Sequence, residues 1–136
     1  MKIFICGSMS FAREMLEYKN KLQEIGHQVI VPASVEECIE NPELNMDLDY
    51  CFRTDIQKKC FNQIAESDAI LVLNCEKNGI DGYIGGATLM EMGLASHLNK
   101  KIFLLNTSPK IEDLRYSVEI QLTKPIILNG DLNLIS

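Results

Sequence analysis

One glutamate stands apart from its surroundings. Glu91 lies in the run Leu89-Met-Glu-Met-Gly-Leu-Ala95, where every neighbour is apolar or small. A helix of that composition is expected to be buried nearly all round, and a lone carboxylate in it is costly unless it meets a partner or faces a cleft. Two readings follow. Glu91 caps a nearby loop or pairs with a lysine, or it serves as an acid, a nucleophile or a ligand anchor. Gly79, Gly82, Gly85, Gly86 and Gly93 fall in the same stretch, so its backbone can take conformations closed to other residues.

Further small polar residues leave the first apolar run as Cys6-Gly-Ser-Met-Ser10. Ser8, Ser10 and the amides around them suit a phosphate or a ribose hydroxyl, or else form a simple helix N-cap, with Ser10 in that role. The turn is neither a GxGxxG fingerprint nor a P-loop. Asp47, Asp49, Tyr50, Arg53 and Asp55 crowd the opening turns of a later helix. Asp47 and Asp49 there read as partners of the helix dipole, whereas Arg53 and Asp55 are better placed to meet a ligand. Tyr50 and Tyr83 could offer a hydroxyl or stack on a base, or simply pack.

These residues need elements to hold them. Lys2–Cys6 is a short continuous apolar run, as in a strand buried on both faces of a parallel sheet. A helix from Phe11 to about Ile25 follows, with Met15, Leu16, Leu22 and Ile25 in helical period, then a strand over His27–Val31 closed by Pro32. The acidic segment Pro32–Asp47 holds a short helix near Val35–Ile39, opened by the capping box Ser34-Val-Glu-Glu37. Its length suits a lid over the strand ends. A helix over Leu48–Glu66 is expected to bury Phe52, Ile56, Cys60 and Ile64. Ala69–Leu73, the glycine loop, the Glu91 helix and Ile102–Leu105 make a βαβ unit, and ligands bind at the carboxyl ends of such strands. Pro109 starts a helix through about Ile120, and Pro125–Leu128 is a fifth, edge strand. The alternation predicts a three-layer α/β fold: an open parallel sheet of about five strands, helices on both faces, in flavodoxin-like rather than dinucleotide-binding order.

Bulk properties narrow the partners. At 136 residues a single domain, 1–136, is expected, large enough to bury about 70% of its unfolded surface. A net charge of −6 with scattered lysines argues against nucleic acid or an anionic membrane as partner, while small anions remain open because helix N-termini bind them. No run approaches the length of a membrane span, and Met1–Cys6 reads as a strand rather than a signal peptide. Five cysteines without a CxxC suggest free thiols in a cytoplasmic protein. His27 and His97, far apart and without a cysteine cluster, argue against zinc, and no cofactor is implied. The apolar tail Leu132–Ile135 suggests a homodimer contact, or a fold-back onto its own chain.

The order of these signals resembles a family. A strand ending in Cys-Gly-Ser, a helix, Gly26-His-x-Val and a second strand are similar to the opening of the nucleoside 2-deoxyribosyltransferases and 2′-deoxynucleoside 5′-phosphate N-hydrolases. Ser67-Asp68-Ala69 entering a strand, the glycine loop, Glu91-Met-Gly93-Leu-Ala95, and Lys100-Lys101 before a strand match later elements of the pattern. The likeness spans nearly the whole chain. It implies a nucleoside or nucleotide substrate, with Glu91 as the nucleophile that displaces the base and holds the deoxyribosyl group as an ester. By the same resemblance Cys6, Gly7, Ser8, Ser10, Gly85, Gly86 and Thr88 would hold the sugar or its 5′-phosphate, with Tyr83 beside them. The family's helical aspartate is replaced here by Cys60, and the Asp or Ser six residues before the glutamate by Gly85. Asp55 and Asp81 are the acids nearby that could stand in. A second reading keeps the nucleotide site without the chemistry, as a binding module. An FMN protein would call for a phosphate loop richer in Ser and Thr, and for a tryptophan.

Overall fold

The computed structural model describes residues 1–136. Five strands, β1 (Lys2–Cys6), β2 (Gln28–Ile30), β3 (Ala69–Val72), β4 (Lys101–Leu104) and β5 (Ile126–Ile127), form one sheet in the order β2-β1-β3-β4-β5. Every pairing is parallel: Ile3 sits opposite Val29 and Ala69, Ile70 opposite Ile102, and Leu104 opposite Ile127. This is the three-layer α/β arrangement in flavodoxin-like order. After β1 the chain steps outward to β2, then returns to the other side of β1 as β3. A crevice opens where two neighbouring strands send their connections in opposite directions.

The alternation of side chains along each strand divides the core in two. Ile3, Ile5, Leu71, Leu73 and Phe103 face one layer, where they meet Met15 and Leu22 of α1 (Ala12–Glu24) and Val35 and Cys38 of α2 (Val35–Glu40). Phe4, Cys6, Ile70, Val72 and Leu104 face the other layer. There they meet Cys60 and Ile64 of α4 (Ile56–Ala65), Met92 and Ala95 of α5 (Gly86–His97) and Ile120 of α6 (Ser117–Leu122). Burying one such large side chain stabilises the fold by roughly 1.5–3 kcal/mol.

Three expectations change. The helix over Leu48–Glu66 is two helices, α3 (Leu48–Thr54) and α4, because Asp55 between them takes a left-handed conformation at φ +51°. The break rotates α3 out of register, so Phe52 is exposed while Cys60 and Ile64 stay buried. The helix expected from Pro109 shrinks to α6: ahead of it the chain only turns, with the Asp113 and Leu114 N–H groups both donating to the Lys110 carbonyl at 3.0 Å, while Ser117 Oγ donates to the Pro109 carbonyl at 2.6 Å and Tyr116 Oη to that of Ile84 at 2.5 Å. The cap before α1 belongs to Ser8, whose Oγ accepts the Ser10 N–H at 3.3 Å across a 3-10 turn (Met9–Phe11). The tail takes the fold-back alternative: Ile135 packs into the α1 layer and the Ser136 carbonyl accepts from Lys101 Nζ.

No helix is long and apolar enough to cross a membrane.

Candidate active site

A cavity of about 290 Å³ opens at the carboxyl ends of β1 and β3. Four segments wall it. Cys6, Gly7, Ser8 and Met9 leave β1; Ile56, Gln57 and Cys60 come from the start of α4; Lys77 and Tyr83 come from the loop after β3, and Gly85–Thr88 and Glu91 from α5 and its approach. The fourth wall is the acidic segment expected to lie over the strand ends, with α3: Pro32, Ser34, Cys38, Asn45, Met46, Tyr50 and Cys51 reach the cavity from it.

Glu91 belongs to this cavity. Its residue is 7% exposed, and Oε2 is buried without a hydrogen-bond partner. No cation pairs with it, since the ion pairs of the chain are Lys21–Glu17 and Arg53–Asp49, both on the surface. The pairing with a lysine considered from the sequence is therefore not formed. Helical geometry explains the placement: Thr88, Glu91, Met92 and Ala95 share the inward face of α5, while Met90 and Gly93 face out. The helix is thus buried on one side only, against the expectation of burial all round. Desolvation raises the Glu91 carboxyl to about 8. Two neighbouring thiols respond to the same environment. Burial first, and the Glu91 charge second, push Cys60 up to about 12 and Cys6 well above its ordinary range, so both stay protonated. No three His, Cys, Asp or Glu side chains are grouped to hold a metal ion.

The β3–α5 loop is pinned at several points. Asn74, fully buried, donates from Nδ2 to the carbonyls of Asn106 and Thr107, both at 2.9 Å. Asn106 answers by donating its backbone N–H to Asn74 Oδ1 at 2.8 Å and its Nδ2 to the Asn74 carbonyl at 3.1 Å. Gly82, at φ +71°, passes so close to the Thr107 carbonyl that a Cβ there would collide with it. Tyr116 holds the Ile84 carbonyl from the other side.

Of the residues singled out from the sequence, Glu91, Cys6, Gly7, Ser8, Tyr83, Gly85, Gly86 and Thr88 come together on the cavity wall, and Tyr50 joins them. Three do not. Ser10 is exposed and reaches the site only through Ser8, hydroxyl to hydroxyl at 2.8 Å. Asp55 is exposed at the α3–α4 break, its conformation spent on the turn between helices. Asp81 is exposed on the outside of the glycine loop. Arg53 likewise points to solvent and pairs with Asp49 at 2.9 Å, while Asp47 caps α3 by accepting the Tyr50 N–H at 3.1 Å.

Sequence reasoning passed over Lys77. Its Nζ donates to Ser8 Oγ at 2.9 Å and stands 5.0 Å from the centre of the Tyr83 ring. The signal was present as Asn78-Gly79, the dipeptide of tight hairpin turns, which folds Lys77 back toward β1. Gln57, Ser34 and Asn45 were hidden for another reason, because only the fold brings them to the crevice.

No protein-family model matches the chain, and no curated protein does. Among solved structures it is similar to the Clostridium botulinum CMP N-glycosidase BcmB, at 21% identity over 77% of this chain and 71% of that one, with a TM-score of 0.45.

Proposed function

We propose that the protein cleaves or exchanges the N-glycosidic bond of a nucleoside or nucleotide, with Glu91 as the attacking group. One observation carries this reading: a carboxylate without any partner lies on the wall of a cavity at the switch point of the sheet. Keeping such a group in a largely apolar place works against stability, and functional sites are where that cost is retained. The Cys-Gly-Ser turn and the Glu-x-Gly-x-Ala spacing described from the sequence support the same chemistry.

In the reaction, an ionised Glu91 oxygen bonds to the anomeric carbon as the carbon–nitrogen bond breaks. The electron pair leaves with the base, which takes a proton from water. Positive charge develops on the sugar in the transition state, and the anion beneath it stabilises that charge. Water, or the nitrogen of a second base, then attacks the same carbon and frees the carboxylate. The attack needs the ionised form, so the raised Glu91 carboxyl delays activity toward alkaline pH. Cys6 and Cys60, held protonated, do not compete as nucleophiles.

The test is base release from ribo- and deoxynucleosides and their monophosphates, with and without a second free base. Release or exchange that falls by several orders of magnitude in Glu91→Gln is the expected result. No release from any substrate, or full activity in the variant, refutes the reading. One observation favours the alternative of a binding module: Glu91 is the only carboxylate on the cavity wall, with Asp55 and Asp81 outside it. Glycosidases usually use two. Stabilisation by nucleotides without turnover would decide for that alternative.

A further inference from the structure

Four buried side-chain polar atoms of the chain have no hydrogen-bond partner: Glu14 Oε2, Gln57 Nε2, Gln63 Oε1 and Glu91 Oε2. Two of them, on Gln57 and Glu91, belong to residues that line the cavity. Glu91 has a place in the proposed reaction; Gln57 has none. The two come from α4 and α5, helices that pack on each other, yet no bond joins them. Burying an amide N–H without an acceptor works against folding. A side chain held that way beside a cavity calls for an acceptor brought by a ligand.

The setting of Gln57 is both firm and neutral. It lies two residues past the left-handed Asp55, in the first turn of α4. Cys60 and Ile64 anchor that helix in the core, so Gln57 is carried by α4 and not by the exposed α3. Lys77 and Glu91 are the only charged side chains lining the cavity, and neither comes from α3 or α4. Met46, Tyr50, Cys51, Ile56 and Cys60 stand with Gln57 on that side. Sulfur, an aromatic ring and aliphatic carbon suit the flat face of a heterocycle, and a single carboxamide among them suits its polar edge. Ser8 and Lys77, the hydrogen-bonded pair of the cavity, stand on two other walls.

We infer that the Gln57 carboxamide hydrogen-bonds the exocyclic edge of the leaving base, which makes Gln57 a specificity-determining residue of the cavity. A carboxamide carries a donor and an acceptor side by side. Natural bases present the matching pair, an amino group beside a ring nitrogen or a carbonyl beside an N–H. Such an edge satisfies both halves of the amide. A base without the exocyclic group leaves one half buried and unpaired, and sites of this kind reject such analogues more strongly than apolar contact can. That the partner is a base rests on the proposed function; that the amide meets a polar edge of a ligand does not.

The experiment compares matched ligands: adenosine and inosine against purine riboside, and cytidine and uridine against 2-pyrimidinone riboside, with their deoxy forms and 5′-monophosphates. The last member of each set lacks the exocyclic group. Affinity, read from thermal stabilisation of the full chain, and kcat/KM for base release are measured for the native sequence, Gln57→Met and Gln57→Glu. In at least one set the native protein should favour a member with the exocyclic group by about 5- to 100-fold in affinity. Gln57→Met should bring that ratio close to one by weakening the favoured member and sparing the other, and the kcat/KM ratio should fall by the same factor. Gln57→Glu, which accepts a hydrogen bond but does not donate one when ionised, should keep a preference for an amino group and lose one for a carbonyl. A native ratio near one in both sets, or a ratio that survives in Gln57→Met, overturns the proposal. Equal weakening of all members does so too, because it makes Gln57 a support for Glu91 or for the fold. A ratio that depends on Gln57 without base release upholds the contact and refutes the glycosidic chemistry. Base release with no such ratio does the reverse, and neither binding nor release with any member overturns both.

Discussion

Replacing Glu91 by glutamine should make the protein more resistant to alkaline unfolding while it abolishes turnover. The carboxyl ionises near 4.5 in an unfolded chain and near 8 in the folded one, with desolvation as the cause. Below the lower value it is neutral in both states and burial carries no ionic penalty. As pH rises between the two values the unfolded chain releases the proton and the folded chain keeps it, so unfolding becomes progressively easier. Above the upper value the loss is complete, at roughly 5 kcal/mol for a gap of that width. Such a sum is a large share of the total stability of a domain. Glutamine cannot ionise; its buried amide costs about 1–3 kcal/mol, but at every pH alike. Urea unfolding of both proteins at several pH values removes the contributions of all other groups, because they cancel in the difference. The stability difference should move in favour of Glu91→Gln by roughly 4 kcal/mol between about pH 5 and about pH 9. Parallel curves would refute the desolvated carboxylate, and with it the central observation behind the proposed chemistry.

Other outcomes follow from the same geometry. If Glu91 attacks in its ionised form, kcat/KM for base release should climb with pH and level off above about 8; a profile that falls above that value would make Glu91 a proton donor instead. Asp55→Asn and Asp81→Asn should leave turnover within about twofold of the native rate, as expected of exposed surface changes, because neither side chain reaches the cavity. Gly82→Ala should destabilise the fold by more than about 1 kcal/mol, visible as a lowered midpoint in urea, because the new methyl meets the Thr107 carbonyl at a positive φ. Gly93→Ala should do the opposite, raising stability by up to about 1 kcal/mol, since the residue is mid-helix with open space where the methyl would go.

Much of the architecture could be read directly from the residues. Apolar runs gave β1, β3 and β4 nearly to their ends, and alternation with helices gave the parallel sheet, because continuous hydrophobicity in short runs has few other physical outcomes. Glu91 was legible for the same reason in reverse, as a charge where the pattern forbids one. What escaped detection depended on single backbone angles or distant bonds. Nothing local in Arg53-Thr-Asp55-Ile marks Asp55 as left-handed, so a continuous stripe through Phe52 was the natural reading. The segment after Pro109 turns at Lys110 before the last helix begins, and the side-chain bonds of Tyr116 and Ser117 that anchor it reach partners no local pattern announces. Asp81 and Asp55 lie near the site in sequence, yet the glycine loop and the helix break turn them outward. Lys77 was concealed by the opposite effect: one two-residue turn carries it to a strand that begins the chain.

The two sides of the crevice are built to different standards. One is tied across β3 and β4 by the reciprocal Asn74–Asn106 bonds, so its shape is set before any molecule arrives. The other includes α3, which buries none of its side chains and joins its neighbour through a single residue. That helix holds no fully buried side chain of its own, so a bulkier guest meets an anvil on one side and a hinged jaw on the other. Discrimination should therefore be strict for whatever part of the guest lies against the anvil and permissive for the part beneath the jaw.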